Sequence, residues 1–219
     1  MVVIVAYLIG SHNNAYMIAY FKGINLRAIG SGNLGTMNVT RALGQKWGWV
    51  TLCLDALKSA IPCLFGWWLL GGTPGFDASL KAGWLGFDNY DKAGIFVAGI
   101  AAVIGHVFPI YFKFKGGKGV ASSIGVMLVA NPIATVLSFA AGLTFIYITN
   151  IGSITSFIVL CGPMVYESYI QRLSNSTPEV SILILVLFMI VLLAHHQNII
   201  KLFKYTEKPV VTSRVKKKE

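Results

Sequence analysis

Charge is scarce in this chain. Only 12% of its 219 residues are Asp, Glu, Lys or Arg, and just 8 of them are acidic. Soluble domains carry about twice that share of charge, so a composition that is 55% hydrophobic excludes an ordinary soluble enzyme. Cysteine is also sparse. Cys53, Cys63 and Cys161 lie inside apolar stretches with no His or Asp at ligand spacing. They read as small buried hydrophobes, and no metal site is expected. No aromatic-studded basic domain accompanies the net charge of +10, so nucleic acid is not an expected partner. The N-terminus lacks a basic leader and a small-residue cleavage site, and it reads as a retained first helix. Internal repeats are not apparent.

Long apolar runs fill most of the chain, at 2–21, 47–71, 93–112, 118–130, 133–149, 152–170 and 180–195. About 20 apolar residues in a helix cross the hydrocarbon core, so the chain is expected to be an all-α, polytopic integral membrane protein. The first run is broken by Ser11-His12-Asn13-Asn14, which must face protein, water or a helix break. The fourth is short and ends at Asn131-Pro132, a turn signal that favours a tight helical hairpin and seven transmembrane helices over six.

Basic residues orient the bundle, because loops on the cytoplasmic side collect Lys and Arg. With the N-terminus outside and the C-terminus cytoplasmic, the inward segments take every Lys and Arg except Lys58, Lys81, Lys92 and Arg172. The outward loops pair Lys81, Lys92 and Arg172 with Asp77, Asp88, Asp91 and Glu179. Inside the second span, Asp55 and Lys58 share a helix face and should point into the bundle. They are either a structural pair linking helices, or Lys58 helps hold an anionic substrate.

Three polar loops fall on the inward side. Loop one, from Gly30 to Arg41, combines Gly30, Gly32 and Gly35 with the uncharged donors Ser31, Asn33, Asn38 and Thr40. Glycines let backbone amides converge on an anion, and the Arg41 fork matches phosphate oxygens. Loop two carries Lys115-Gly116-Gly117-Lys118-Gly119-Val120. It fails the P-loop pattern, because Val120 stands where Ser or Thr is required and a membrane helix precedes it. A glycine-rich turn entering a helix N-terminus, flanked by Lys115 and Lys118, still suits a phosphate. Loop three holds His195 and Asn198 one helical turn apart. His195 is a general base, a proton donor to phosphate or simply a membrane-boundary histidine; with Asn198 beside it and two anion loops nearby, a phosphate or hydroxyl contact is favoured. His106 reads as mainly structural, closing the third helix. The turn Thr149-Asn150-Ile151-Gly152-Ser153 offers either helix capping by Ser153 or Asn150, or a hydroxyl for the same ligand.

Together these residues resemble the PlsY glycerol-3-phosphate acyltransferases across almost the whole chain. Loop one is similar to that family's G-S-G-N-x-G-x-T-N-x-x-R motif. Loop two is similar to G-H-x-F-P-x-x-x-x-F-K-G-G-K-G-V-A, and loop three to H-x-x-N-I-x-R-L with Lys201 for the arginine. Two departures stand out. Met37 holds the place of the motif threonine, with Thr36 one residue early. The family's S-I-P-F-G stretch is Ser11-His12-Asn13-Asn14-Ala15, where the acyl-chain groove is expected to differ.

The resemblance implies a seven-helix enzyme of the bacterial inner membrane with its site facing the cytoplasm. It would move a fatty acyl group from acyl phosphate to the 1-hydroxyl of glycerol 3-phosphate, giving lysophosphatidic acid and phosphate. No cofactor is implied. The partners would be the two substrates, the lipid bilayer and a soluble enzyme that forms acyl phosphate. Ser31, Arg41, Lys115 and His195 would be catalytic. Asn33, Asn38, Gly116, Gly117, Lys118, Gly119, Ser153 and Asn198 would bind substrate. Residues 1–204 would form the transmembrane domain, and 205–219 a basic cytoplasmic tail without catalytic content. Proton removal falls to His195 or, as the resemblance implies, to a substrate phosphate oxygen. The alternative class is a transporter or exchanger of organic phosphates, which needs a site near the midplane that opens to both sides.

Overall fold

The computed structural model describes residues 1–70, 89–173, 178–207 and 209–210. The loop with Asp77, Lys81 and Asp88, the Asp91 side chain, Lys208 and everything beyond residue 210 fall outside that set. Regular structure among the described residues is helical. The helices are α1 (Val2–Ser11), α2 (Asn14–Phe21), α3 (Thr36–Leu43), α4 (Gln45–Leu70) and α5 (Asn89–Val107). They continue with α6 (Val120–Ala130), α7 (Pro132–Thr149), α8 (Gly152–Leu173), α9 (Pro178–Ala194) and α10 (His196–Phe203).

Five segments are long and apolar enough to cross a bilayer: Val2–Phe21, Gln45–Leu69, Lys92–Phe112, Pro132–Thr149 and Gly152–Leu173. α9 and α10, bent by 59°, make a sixth if taken together. The expected fourth crossing is α6, which has only 11 residues. At about 1.5 Å per residue it reaches roughly half of the hydrocarbon thickness. Most of α6 is buried instead, with Val126 and Met127 joining Phe96, Val103, Leu160 and Leu187 in the core. It ends at the anticipated hairpin: Asn131 Oδ1 accepts from the Ala134 N–H at 3.2 Å, and Pro132 opens α7.

Small residues let the helices approach closely, the usual means of packing where lipid supplies no hydrophobic drive between helices. A Cβ on Gly10 would collide with the Ala102 backbone, and one on Gly125 with the Ala56 carbonyl. The outward faces of α4, α7 and α9 expose Leu57, Ile61, Leu137, Leu185 and Leu193, as a lipid-facing surface requires.

The polar patch in the first run is a helix break. His12 is extended, and Asn13 caps α2 by accepting from the Tyr16 N–H at 2.8 Å. Lys58 Nζ donates to the freed His12 carbonyl at 2.6 Å and pairs with Asp55 Oδ1 at 3.0 Å. Asn14 Nδ2 donates to the same carboxylate at 2.9 Å. Asp55 and Lys58 therefore tie α4 to the break, which is the structural alternative for this pair.

A second buried ion pair joins α5 to α8. Lys92 Nζ lies 2.7 Å from Glu167 Oε1, and Asn131 Nδ2 donates to Oε2 at 3.1 Å. Gln171 Nε2 also donates to Oε1, at 2.7 Å. Truncating one partner of such a pair strands the other charge. Glu167→Ala should cost about 3–5 kcal/mol of stability, measurable by unfolding in detergent, while the activity of the molecules that remain folded is kept.

Candidate active site

Loop one is built around Asn38. Its Nδ2 donates to the Leu26 carbonyl at 2.9 Å, and its Oδ1 accepts from the Ser31 N–H at 3.0 Å. Gly30 and Gly32 both have positive φ, +59° and +69°, and this lets the turn wrap the Asn38 side chain. Asn38 is thus spent on holding the loop. Ser31 and Asn33 remain at its open side.

Loop two uses its glycines differently from the expected amide cradle. The Gly116 N–H donates to the Val107 carbonyl and the Gly117 N–H to the His106 carbonyl, both at 3.1 Å. These amides close the end of α5. The turn lies so tightly on α5 that a Cβ on Gly116 would strike the His106 carbonyl, and one on Gly117 the His106 ring. Lys115 is exposed, and its carbonyl accepts from Arg27 Nη2 at 2.6 Å. Of the two lysines, Lys118 is the one that lines the cavity.

That cavity, about 210 Å³, collects the loops at one end of the bundle. Gly35, Thr36 and Met37 contribute the start of α3, Gly119 to Ala121 the start of α6, Gly152 the start of α8, and His195 with Asn198 the start of α10. Neither α3 nor α6 has a side-chain cap. Helix N-termini carry unsatisfied N–H groups and a positive dipole end, so several of them facing one space favour an anion there. Arg41, Lys118 and Lys201 add cationic side chains to the lining, and Glu207 and Asp55 are its acids.

Burial shapes the two nearest cations. It pulls Lys118 down to about 8; Glu207 opposes the shift, while Lys201 and Arg41 add to it. Burial also lowers Arg41, with Glu207 offsetting part of the effect. A bound anion reverses that cost for both groups. Arg41 is further anchored by its Nε, which donates to the Pro209 carbonyl at 3.0 Å.

A hydrogen-bonded chain also lines the cavity. Asn198 Nδ2 donates to Ser153 Oγ at 2.7 Å, and Ser153 Oγ donates to Glu207 Oε1 at 2.6 Å. The Ser153 N–H reaches the same Glu207 oxygen at 2.9 Å. His195 is buried, and its Nδ1 sits 2.8 Å from the Val191 carbonyl. A carbonyl only accepts, so Nδ1 carries the hydrogen and Nε2 of a neutral ring is left as an acceptor.

The start of the segment expected as a basic tail, residues 205–219, reaches the cavity. Thr206 and Glu207 line the cavity, and the Val210 N–H donates to Asn150 Oδ1 at 3.1 Å. Thr36 was the other residue undervalued from sequence. Its hydroxyl is buried without a hydrogen-bond partner, beside Met37 in the lining. Among the described residues, no three His, Cys, Asp or Glu side chains cluster as a metal ion would need.

An apolar groove of about 340 Å³ shares Thr36, Met37, Leu52, Val120 and Ser156 with the polar cavity. It continues past Trp49 and Phe139 into a second groove of about 410 Å³ between α4, α6 and α7. The grooves lie away from the Ser11–Ala15 break, which is occupied by its contacts with Asp55 and Lys58.

A helical membrane bundle with a cation-lined cavity opening into an apolar groove is suited to joining a phosphorylated head group and a fatty chain. Residues 1–205 match the glycerol-3-phosphate acyltransferase family, and the chain belongs to it. A glycerol-3-phosphate acyltransferase of Thermoanaerobacter sp. (strain X514) is 36% identical over 208 residues, 93% of this chain and 91% of the relative. One from Myxococcus xanthus (strain DK1622) is 32% identical over 210 residues, 94% and 96% of the two chains. The crystal structure of PlsY (YgiH), an integral membrane glycerol 3-phosphate acyltransferase, in its glycerol 3-phosphate form superposes with a TM-score of 0.78. It is 31% identical, over 98% of this chain and 96% of the other. The lysophosphatidic acid form of PlsY gives 0.73 at 30% identity, over 95% and 93%.

The position of Lys118 sets a pH dependence. Its folded pKa is depressed, so the ammonium that an anion needs is full below about pH 8 and lost above it. Titration calorimetry with inorganic phosphate should show affinity falling tenfold per pH unit on that alkaline limb. Lys118→Arg, which stays charged, should flatten the limb through pH 9. A limb unchanged in Lys118→Arg would assign the titration to another group.

Proposed function

We propose that this chain transfers a fatty acyl group from acyl phosphate to the 1-hydroxyl of glycerol 3-phosphate, releasing lysophosphatidic acid and inorganic phosphate. It does so as a seven-helix protein of the bacterial inner membrane, with its N-terminus outside and its site and C-terminus on the cytoplasmic side. In this topology α6 counts as a short seventh element. The observation that carries the reading is the junction itself: Arg41 and Lys118 line a cavity on which the starts of several helices converge, and an apolar groove leads off the same cavity.

Acyl phosphate is a mixed anhydride with a good leaving group, so no Ser or Cys nucleophile is required. The glycerol 1-oxygen attacks the acyl carbon, the bond from that carbon to the phosphate oxygen breaks, and phosphate leaves. The hydroxyl proton passes to a phosphoryl oxygen. Arg41, Lys118 and the starts of α3 and α6 hold phosphoryl charge, which is a task of positioning and electrostatic stabilisation. Lys118 takes the role that sequence divided between Lys115 and Lys118. His195 Nε2 with Asn198 and Ser153 steady the polar end, and the acyl chain lies in the groove past Met37. Acyl phosphate enters sideways from the bilayer, supplied by a soluble acyl-phosphate-forming enzyme, and glycerol 3-phosphate arrives from the cytoplasm. A transporter is disfavoured, because the cations gather at one end of the bundle and not at a midplane site.

Purified protein given palmitoyl phosphate and labelled glycerol 3-phosphate should form lysophosphatidic acid without added metal or coenzyme. Arg41→Ala should lower kcat/KM by about 10²–10³, the loss seen when one electrostatic stabiliser is removed. Inactivity with palmitoyl phosphate, together with turnover of palmitoyl-coenzyme A, would reject the donor assignment. Flux of glycerol 3-phosphate across vesicles without product would reject the enzyme.

A further inference from the structure

The carboxylate of Glu207 is only half used by the protein. Oε1 takes two hydrogen bonds from Ser153, through its N–H at 2.9 Å and its Oγ at 2.6 Å. Oε2 is buried and has no hydrogen-bond partner. An unsatisfied buried acceptor is costly, and more so when it carries charge. The side chain nevertheless lines the cavity with Arg41, Lys118, Lys201 and a second acid, Asp55, whose Oδ1 is already engaged by Lys58 and Asn14. An orphaned acceptor in a ligand cavity calls for a ligand that donates.

The two substrates differ in this respect. Ionised acyl phosphate carries no O–H group, and a phosphoryl oxygen beside a carboxylate repels it. Glycerol 3-phosphate offers two hydroxyls. Its 1-hydroxyl must give its proton to a phosphoryl oxygen as the ester forms, which leaves the 2-hydroxyl as the donor with no other assignment. Resting on the acyl-transfer reading, we propose that Glu207 Oε2 accepts a hydrogen bond from the 2-hydroxyl of glycerol 3-phosphate and so positions the acceptor and selects it.

Glu207 adds a negative group to a cavity also lined by Arg41 and Lys118. Arg41 and Lys118 draw phosphoryl groups, and the carboxylate repels them. Ser153 and Asn198 act through Glu207: their chain of hydrogen bonds fixes Oε1, and the planar carboxylate then fixes where Oε2 points. The tail, beginning just past α10, supplies the group that reads the substrate's backbone. The acyl phosphate never touches it.

The test compares glycerol 3-phosphate with propane-1,3-diol monophosphate, which keeps the reacting hydroxyl and the phosphate and lacks only the 2-hydroxyl. Wild-type protein with palmitoyl phosphate should prefer glycerol 3-phosphate by about 10²-fold or more in kcat/KM, as sites built to bond a hydroxyl do. Glu207→Gln keeps an amide oxygen for Ser153 but offers an NH₂ in place of the second acceptor. It should lower the preference for glycerol 3-phosphate over the deoxy analogue by about 10²-fold. Glu207→Asp, which keeps the charge and withdraws the oxygen by one methylene, should show the same selective loss and serves if the Gln variant does not fold. Equal losses on both acceptors would make Glu207 a structural clasp and overturn the proposal. Equal use of both acceptors by wild type would also overturn it, as would a Gln variant faster on both, the mark of a carboxylate that merely occupies a phosphate's place. No product from wild-type protein with either acceptor would instead reject the acyl-transfer reading.

Discussion

Positive charge held at the edge of an apolar bundle organises this protein. Arg41 and Lys118 are partly withdrawn from water, and helices α3, α6, α8 and α10 aim their positive ends at the same space. Glu207 partly balances both, and one of its oxygens is already committed to Ser153. Such a site is unfavourable when empty and favourable once phosphoryl groups enter, so binding energy is placed where charge develops during transfer. The surrounding fold serves this arrangement. α6 is short because it must begin at the cavity, and the hairpin at Asn131 turns it back from within the bundle.

The class of fold was plain from the apolar runs, while the Ser11 to Asn14 patch was legible only as polar residues that face protein, water or a helix break. The Asn131-Pro132 turn was also legible, since proline and a capping side chain act locally. The three loops were recognisable as one unit because their glycines and donors sit in short contiguous motifs. The division of labour inside them was not. A glycine-rich turn can point its amides at an anion or at a helix end, and only the packing of Gly116 and Gly117 on His106 shows that they close α5. The same packing sends Lys115 outward and Lys118 inward.

Glu207 was hidden for a different reason. It lies 54 residues from Ser153, in a stretch whose lysines suggest nothing but a solvated end. No periodicity marks a tail that folds back on a helix N-terminus. The available signal was scarcity: a carboxylate just beyond the last helix in a chain with only 8 acids. Asn38 misled in the opposite direction. A polar residue in an anion-loop motif invites a ligand role, whereas its amide is used on Leu26 and Ser31 to shape the loop.

Where the phosphoryl group rests is measured most directly by a structure of the protein with glycerol 3-phosphate. The phosphorus should lie in the shared cavity, within contact of Arg41 or Lys118 and of the first-turn amides of α3 or α6. Phosphate found instead on the exposed lysines of loop two, with the cavity unchanged, would contradict it.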